Sequence, residues 1–139
     1  MKVIAHRGAS GEFPENSLLA FEQAIKQQAD GIELDAQYHL ASGKFILVHN
    51  HYITNNAGET FSLNDLSLAA LSTISKDRQS ITTLDQALMN INGRCCVNIE
   101  LKVTIEDKTT LHTIVAKLQK LLAEFIERQQ FTYSQFIIS

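Results

Sequence analysis

Little in this sequence divides it. No internal repeat, low-complexity tract or Pro/Gly-rich linker interrupts the 139 residues, which hold one proline and six glycines, so a single domain over 1–139 is expected. Charge of one sign is scarce as well. Twelve Lys/Arg against fifteen Asp/Glu give a formal net charge of -3, which excludes a broad electrostatic grip on nucleic acid or anionic lipid. Any phosphate binding must be local. Cysteine is limited to Cys95 and Cys96. Adjacent strand residues point to opposite faces, so the two do not bridge, and a zinc site needs more ligands than this pair supplies. Such usage fits a reducing cytoplasm. Long apolar runs are missing too: Lys2 leads into a short apolar stretch broken by His6 and Arg7, which reads as neither signal peptide nor membrane span.

What remains is 45% apolar and 19% charged, enough to build one core. Residues 2 to 6 form a short apolar run ended by Arg7-Gly8, read as a buried strand opening into a loop. Leu18, Phe21, Ala24 and Ile25 recur at helical spacing after a cap at Asn16 or Ser17. Strands are expected at 31–37 and 45–49, with a Ser42-Gly43 turn between them. Short helices follow Ser62 and Thr83, the latter with Gln86 placed for a capping box. A fourth strand at 95–102 leads to the strongest helical pattern, Leu111, Ile114, Val115, Leu118, Leu122, Phe125 and Ile126, and residues 135–139 read as a fifth strand. Strands alternating with helices indicate an α/β fold with a parallel sheet.

Period-two alternation then sorts the polar groups. His6 shares a strand face with Ile4; Glu33 with Asp35; His49 with Leu47; and Asn98, Glu100 and Lys102 with one another, while the opposite parity is apolar and suits the helix side. Titratable groups thus collect toward the C-terminal strand ends, where parallel sheets bind ligands. Burying several unpaired charges costs several kcal/mol each, so a compensating cation is expected. Glu33, Asp35 and Glu100 are hard oxygen donors that suit Mg²⁺ or Ca²⁺ better than zinc. His6 and His49 are candidates for proton transfer, and Arg7 and Lys102 for non-bridging phosphate oxygens. His39, His51 and His112 are read as structural.

The ordered set His6-Arg7-Gly8, Pro14-Glu15-Asn16-Ser17, Gly31-Ile32-Glu33-Leu34-Asp35, Val48-His49 and Ile99-Glu100-Leu101-Lys102 resembles the glycerophosphodiester phosphodiesterase family. The resemblance implies a TIM-type (β/α) barrel, here about its first five strands. It also implies Ca²⁺ or Mg²⁺ on Glu33, Asp35 and Glu100, His6 and His49 as the acid/base pair, Arg7 and Lys102 on phosphate, and Glu15-Asn16 as a supporting loop. A small glycerophosphodiester would be cut to glycerol 3-phosphate and an alcohol. Asn50 stands where the family usually has Asp. A whole barrel of this kind takes eight strands and about 250 residues, so the chain is expected to be part of a longer protein, and exposed sheet edges would favour self-association. Two alternatives stay open: a related lysophospholipid or sphingolipid phosphodiesterase, and a catalytically silent interaction module. A tight hairpin about Ser42-Gly43 would be expected to carry His49 to the end of the sheet opposite the carboxylates; the enzyme reading needs residues 38–44 to run back down.

Overall fold

A computed structural model of the chain describes residues 1–74, 81–104 and 107–139. Strand β1 (Ile4–His6) opens into helix α1 (Leu18–Lys26), followed by β2 (Gly31–His39) and β3 (Lys44–Leu47). A small hairpin of β4 (Tyr52–Thr54) and β5 (Thr60–Ser62) leads through a 3-10 turn at Leu63–Asp65 to α2 (Leu68–Ile74) and α3 (Leu84–Ile91). The chain continues into β6 (Cys96–Lys102), α4 (Lys108–Glu127), a second 3-10 turn at Tyr133–Gln135 and β7 (Phe136–Ile138).

The main sheet runs β1-β2-β6-β7 with every neighbour parallel, and β3 pairs antiparallel with β2. Helices supply the crossovers that parallel pairing requires. Ser17 caps α1 by accepting from the Ala20 N–H at 3.1 Å, and Gln86 accepts from the Thr83 N–H at 3.0 Å at the start of α3. The outer face of the sheet, Ile32, Leu34, Ala36, Val97 and Ile99, packs on Phe21 and Ala24 of α1, Leu84, Leu88 and Ile91 of α3, and Ile114, Leu118, Leu122 and Phe125 of α4. Each of the larger aliphatic and aromatic side chains among these contributes about 1.5–3 kcal/mol by leaving water. The buried stripe of α4 is narrower than its sequence pattern, since Val115 faces out.

The third strand departs from the expected all-parallel order. Its register places Leu47 opposite Ala36, Phe45 opposite Tyr38 and Lys44 opposite His39. The hairpin therefore forms, yet it does not carry His49 to the far end. β2 runs to His39, beyond the carboxylates, so the returning strand reaches the height of Asp35 as it ends at Leu47. Parity on this strand is also reversed from the expectation. Paired residues share a sheet face, so Leu47 joins Ala36 in the helix-covered core, while Ile46, opposite Gln37, packs with Leu63 and Leu71 in a second cluster.

One edge of β2 is taken by β6 along Gly31–Gln37, and the other is shared end to end by β1, at Gly31–Glu33, and β3, at Ala36–His39. β3 therefore ends on the same edge of β2 as β1, the strand from which His6 and Arg7 emerge.

Candidate active site

The register alone assembles most of the site. His6 pairs with Glu33 and Glu33 with Asn98; Asp35 pairs with Glu100, and Gln37 with Lys102. All of these side chains share the face turned away from the helices. Oxygens of Glu33, Asp35 and Glu100 lie within 4.8 Å of one another. Asp35 is fully buried and Glu33 nearly so. One oxygen of Glu33, Oε1, is buried with no hydrogen-bond partner, while Oε2 accepts from the Arg7 backbone N–H at 3.0 Å. His6 Nε2 stands 3.8 Å from Glu33 Oε2.

The loop after β1 supplies the countercharge. Gly8, at φ +82°, lies where a Cβ would be 2.7 Å from the Ala20 carbonyl carbon, so only glycine lets this loop rest on α1. Arg7 (φ +57°) and Asn16 (φ +54°) also take left-handed backbone. Arg7 Nε approaches Asp35 Oδ2 at 2.9 Å, and its NH1 donates to Glu15 Oε2 at 2.9 Å. The Asn16 amide donates to Asp35 Oδ2 at 3.0 Å and accepts from the Asp35 N–H at 3.2 Å. On the far side, Lys102 Nζ lies 3.4 Å from Asp35 Oδ1 and hydrogen-bonds Glu100 Oε1.

Burial pushes the Glu33 carboxyl above its ordinary range. The Arg7 N–H and His6 oppose the rise, and the negative charges of Asp35 and Glu100 add to it. Lys102 is held charged: its hydrogen bond to Glu100 raises its pKa, burial opposes this, and Asp35 adds to the rise. A buried carboxylate oxygen without a donor, inside a set of three hard oxygen ligands, is what a divalent cation would satisfy, and the donor set fits Mg²⁺ or Ca²⁺.

His6, Arg7, Glu15, Asn16, Glu33, Asp35, Glu100 and Lys102 thus form one connected network. His49 joins it through a cleft of ≈ 190 Å³ whose walls include Glu15, Asn16, His49, Asn50 and Tyr52. Among the described residues, no hydrogen bond or ion pair ties its ring to a carboxylate. Its Nδ1 meets Asn50 Oδ1 at 3.1 Å; with the amide oxygen as acceptor, Nδ1 carries the proton and Nε2 is left as the free basic nitrogen. Asn50 therefore offers an acceptor in the manner of an Asp, without the negative charge.

Sequence reasoning missed Gln37. Its Nε2 donates to the carbonyls of Val48, His49 and Asn50 at 2.9, 3.1 and 2.9 Å, and its Oε1 accepts from His51 Nδ1 at 2.7 Å. This buried amide anchors the loop that carries His49. The signal was available, because Gln37 continues the Glu33, Asp35 alternation by one more step. His39, by contrast, is structural as expected: it bonds Ser42 Oγ and the carbonyls of Leu63 and Leu66.

Comparison with known proteins places this geometry. The model of the Glycerophosphoryl diester phosphodiesterase family matches residues 6–139. A human protein named glycerophosphodiester phosphodiesterase 1 is 30% identical over 135 residues, which are 90% of this chain and 39% of its own. A Bacillus subtilis protein named as a putative glycerophosphodiester phosphodiesterase is 32% identical over 110 residues, covering 73% of this chain and 45% of the relative. Among solved structures, an Oleispira antarctica phosphodiesterase in complex with the product sn-glycerol-3-phosphate superposes with a TM-score of 0.74 at 25% identity, over 99% of this chain and 56% of that one. A glycerophosphodiester phosphodiesterase from Agrobacterium tumefaciens gives a TM-score of 0.66 at 29% identity, over 87% and 53%. The fold is accordingly part of a TIM-type barrel, and the chain spans about half the length of these structures and less of the two curated relatives.

Proposed function

Because this chain belongs to the glycerophosphoryl diester phosphodiesterase family, we propose that it forms the N-terminal portion of one barrel domain that hydrolyses small glycerophosphodiesters to glycerol 3-phosphate and an alcohol. The observation that carries the reading is the meeting of Glu33, Asp35 and Glu100 at one point, flanked by Arg7 and Lys102 and bordered by His6.

In this reading Glu33, Asp35 and Glu100 hold one divalent cation, Mg²⁺ or Ca²⁺. When bound, such an ion would offset charge on the phosphoryl oxygens and orient the diester. Arg7 and Lys102 contact the non-bridging oxygens. The glycerol hydroxyl next to the ester attacks phosphorus while one of His6 and His49 takes its proton. The bond to the departing oxygen breaks as the other histidine protonates it, and a water then opens the cyclic phosphate with the roles exchanged. His49 suits the accepting role through its free Nε2. Asn16 and Glu15 hold the loop that sets Arg7 and Asp35. The free thiols of Cys95 and Cys96 support a reducing cytoplasm. Among the described residues, no helix is long and apolar enough to cross a membrane. Exposed Ile4, Ile137 and Ile138 on the outer strands, with exposed Val3 just before the first, support association through the sheet edges.

The test is release of glycerol 3-phosphate from glycerophosphocholine by the wild-type protein, with and without a chelator, beside His6→Ala and His49→Ala. The reading expects turnover that the chelator abolishes and that each variant lowers at least about 100-fold. Wild type and variants alike at background would instead favour a silent module.

A further inference from the structure

Two side-chain cations face the three carboxylates, and they are committed differently. Arg7 is shared between Asp35 and Glu15, with Nε on Asp35 Oδ2 and NH1 on Glu15. Lys102 lies against two carboxylates of the proposed cation site, Asp35 Oδ1 at 3.4 Å and Glu100 Oε1. Its contact with Glu100 follows from strand geometry, since residues two apart share a face. The contact with Asp35 crosses to the neighbouring strand and uses the flexible four-carbon stem.

We propose that Lys102 is an internal counter-ion that holds the cation's place, so that a divalent ion entering between Asp35 and Glu100 must displace its ammonium group. The proposal rests on the reading of this site as a cation and phosphate site. An ammonium and a divalent ion compete for the same two carboxylates, and the longer, more flexible stem belongs to the lysine, which can swing away while the carboxylates stay on their strands. Without the ion, the four carboxylates of Glu15, Glu33, Asp35 and Glu100 face two cations and the cluster keeps a formal negative charge, which disfavours an anionic diester. With it that charge is cancelled, and the released Lys102 becomes available to a phosphate oxygen. Cation binding then precedes productive phosphate binding, and one side chain couples the two.

Calorimetric titration of Mg²⁺ or Ca²⁺ into chelator-stripped wild type and Lys102→Met tests this. The variant is expected to bind the ion about 10-fold more tightly, because the competing charge is gone. Detectable binding in the variant alone would support the proposal equally. Equal affinities overturn it while leaving the cation site standing, and no binding in either protein overturns both. Should Lys102→Met not fold, the wild type carries the test. Acylation of Lys102 by a small amine reagent, followed by peptide mass spectrometry with Lys117 as internal reference, should speed up several-fold when Mg²⁺ is added. An unchanged rate overturns the displacement.

Discussion

Asn16 offers a sharp test of how the site is held together. Its side chain makes two hydrogen bonds to Asp35, one of them to a fully buried carboxylate, while its own backbone sits at φ +54°. Replacing it by glycine removes the two bonds but relaxes the backbone; replacing it by alanine removes the bonds and adds the left-handed penalty. A hydrogen bond to a buried charge is worth about 1.5–3 kcal/mol, and the orphaned Asp35 N–H adds to the loss. Alanine in this backbone region costs roughly 1 kcal/mol more than glycine. We therefore expect Asn16→Gly to lose about 2 kcal/mol and Asn16→Ala about 3 kcal/mol, which for a chain of this length lowers Tm by roughly 7 and 10 °C. Urea denaturation and thermal melts in the presence of a chelator measure both. If the two variants fall within about 0.5 kcal/mol of wild type, Asn16 does not brace Asp35 and the account of the loop is wrong.

Three further outcomes follow from the same contacts. Glu33 holds its proton more tightly in the folded chain than in the unfolded one, so the stability it contributes below about pH 4.3 is lost as pH rises through its raised folded value. Chelator-treated Glu33→Gln should therefore be more stable than wild type at pH 7, by about 1 kcal/mol in urea melts, and a less stable variant would contradict the buried-charge reading. Cys95 is buried and its thiol is pushed up to about 11, chiefly by burial, so at pH 8 only about 0.1% of it is thiolate. A thiol reagent should modify Cys96 in the native protein and Cys95 only after denaturation, whereas equal rates would refute the packing of Cys95. Gln37→Met should free residues 48–51, and hydrogen exchange there should speed up by at least about 10-fold while β6 remains protected; unchanged protection would remove Gln37 as the anchor.

Most of the candidate site was legible because a strand reports its faces through a period of two. His6, Glu33, Asp35, Glu100 and Lys102 needed only that rule, and the register brings them onto one face. The direction of the third strand was harder to read. The Ser42-Gly43 turn was visible, but the place of His49 depends on how far β2 continues, and Tyr38 and His39 extend it without breaking the pattern. Two more residues of strand bring the returning chain back to the level of the carboxylates. The β4–β5 hairpin was also not read, although Asn55 to Glu59, with Gly58 at φ +83°, separates Tyr52–Thr54 from Thr60–Ser62. Gln37 escaped notice because the alternation marks only its face, and an uncharged amide does not declare its role until the carbonyls it gathers are known.

Crystals of the chain grown with Mn²⁺ or Ca²⁺ and examined by anomalous diffraction address the central claim most directly. One ion should lie about 2.0–2.6 Å from oxygens of Glu33, Asp35 and Glu100, with His6 beside it. A map with the ion elsewhere, or with none at these carboxylates at saturating concentration, would contradict the site.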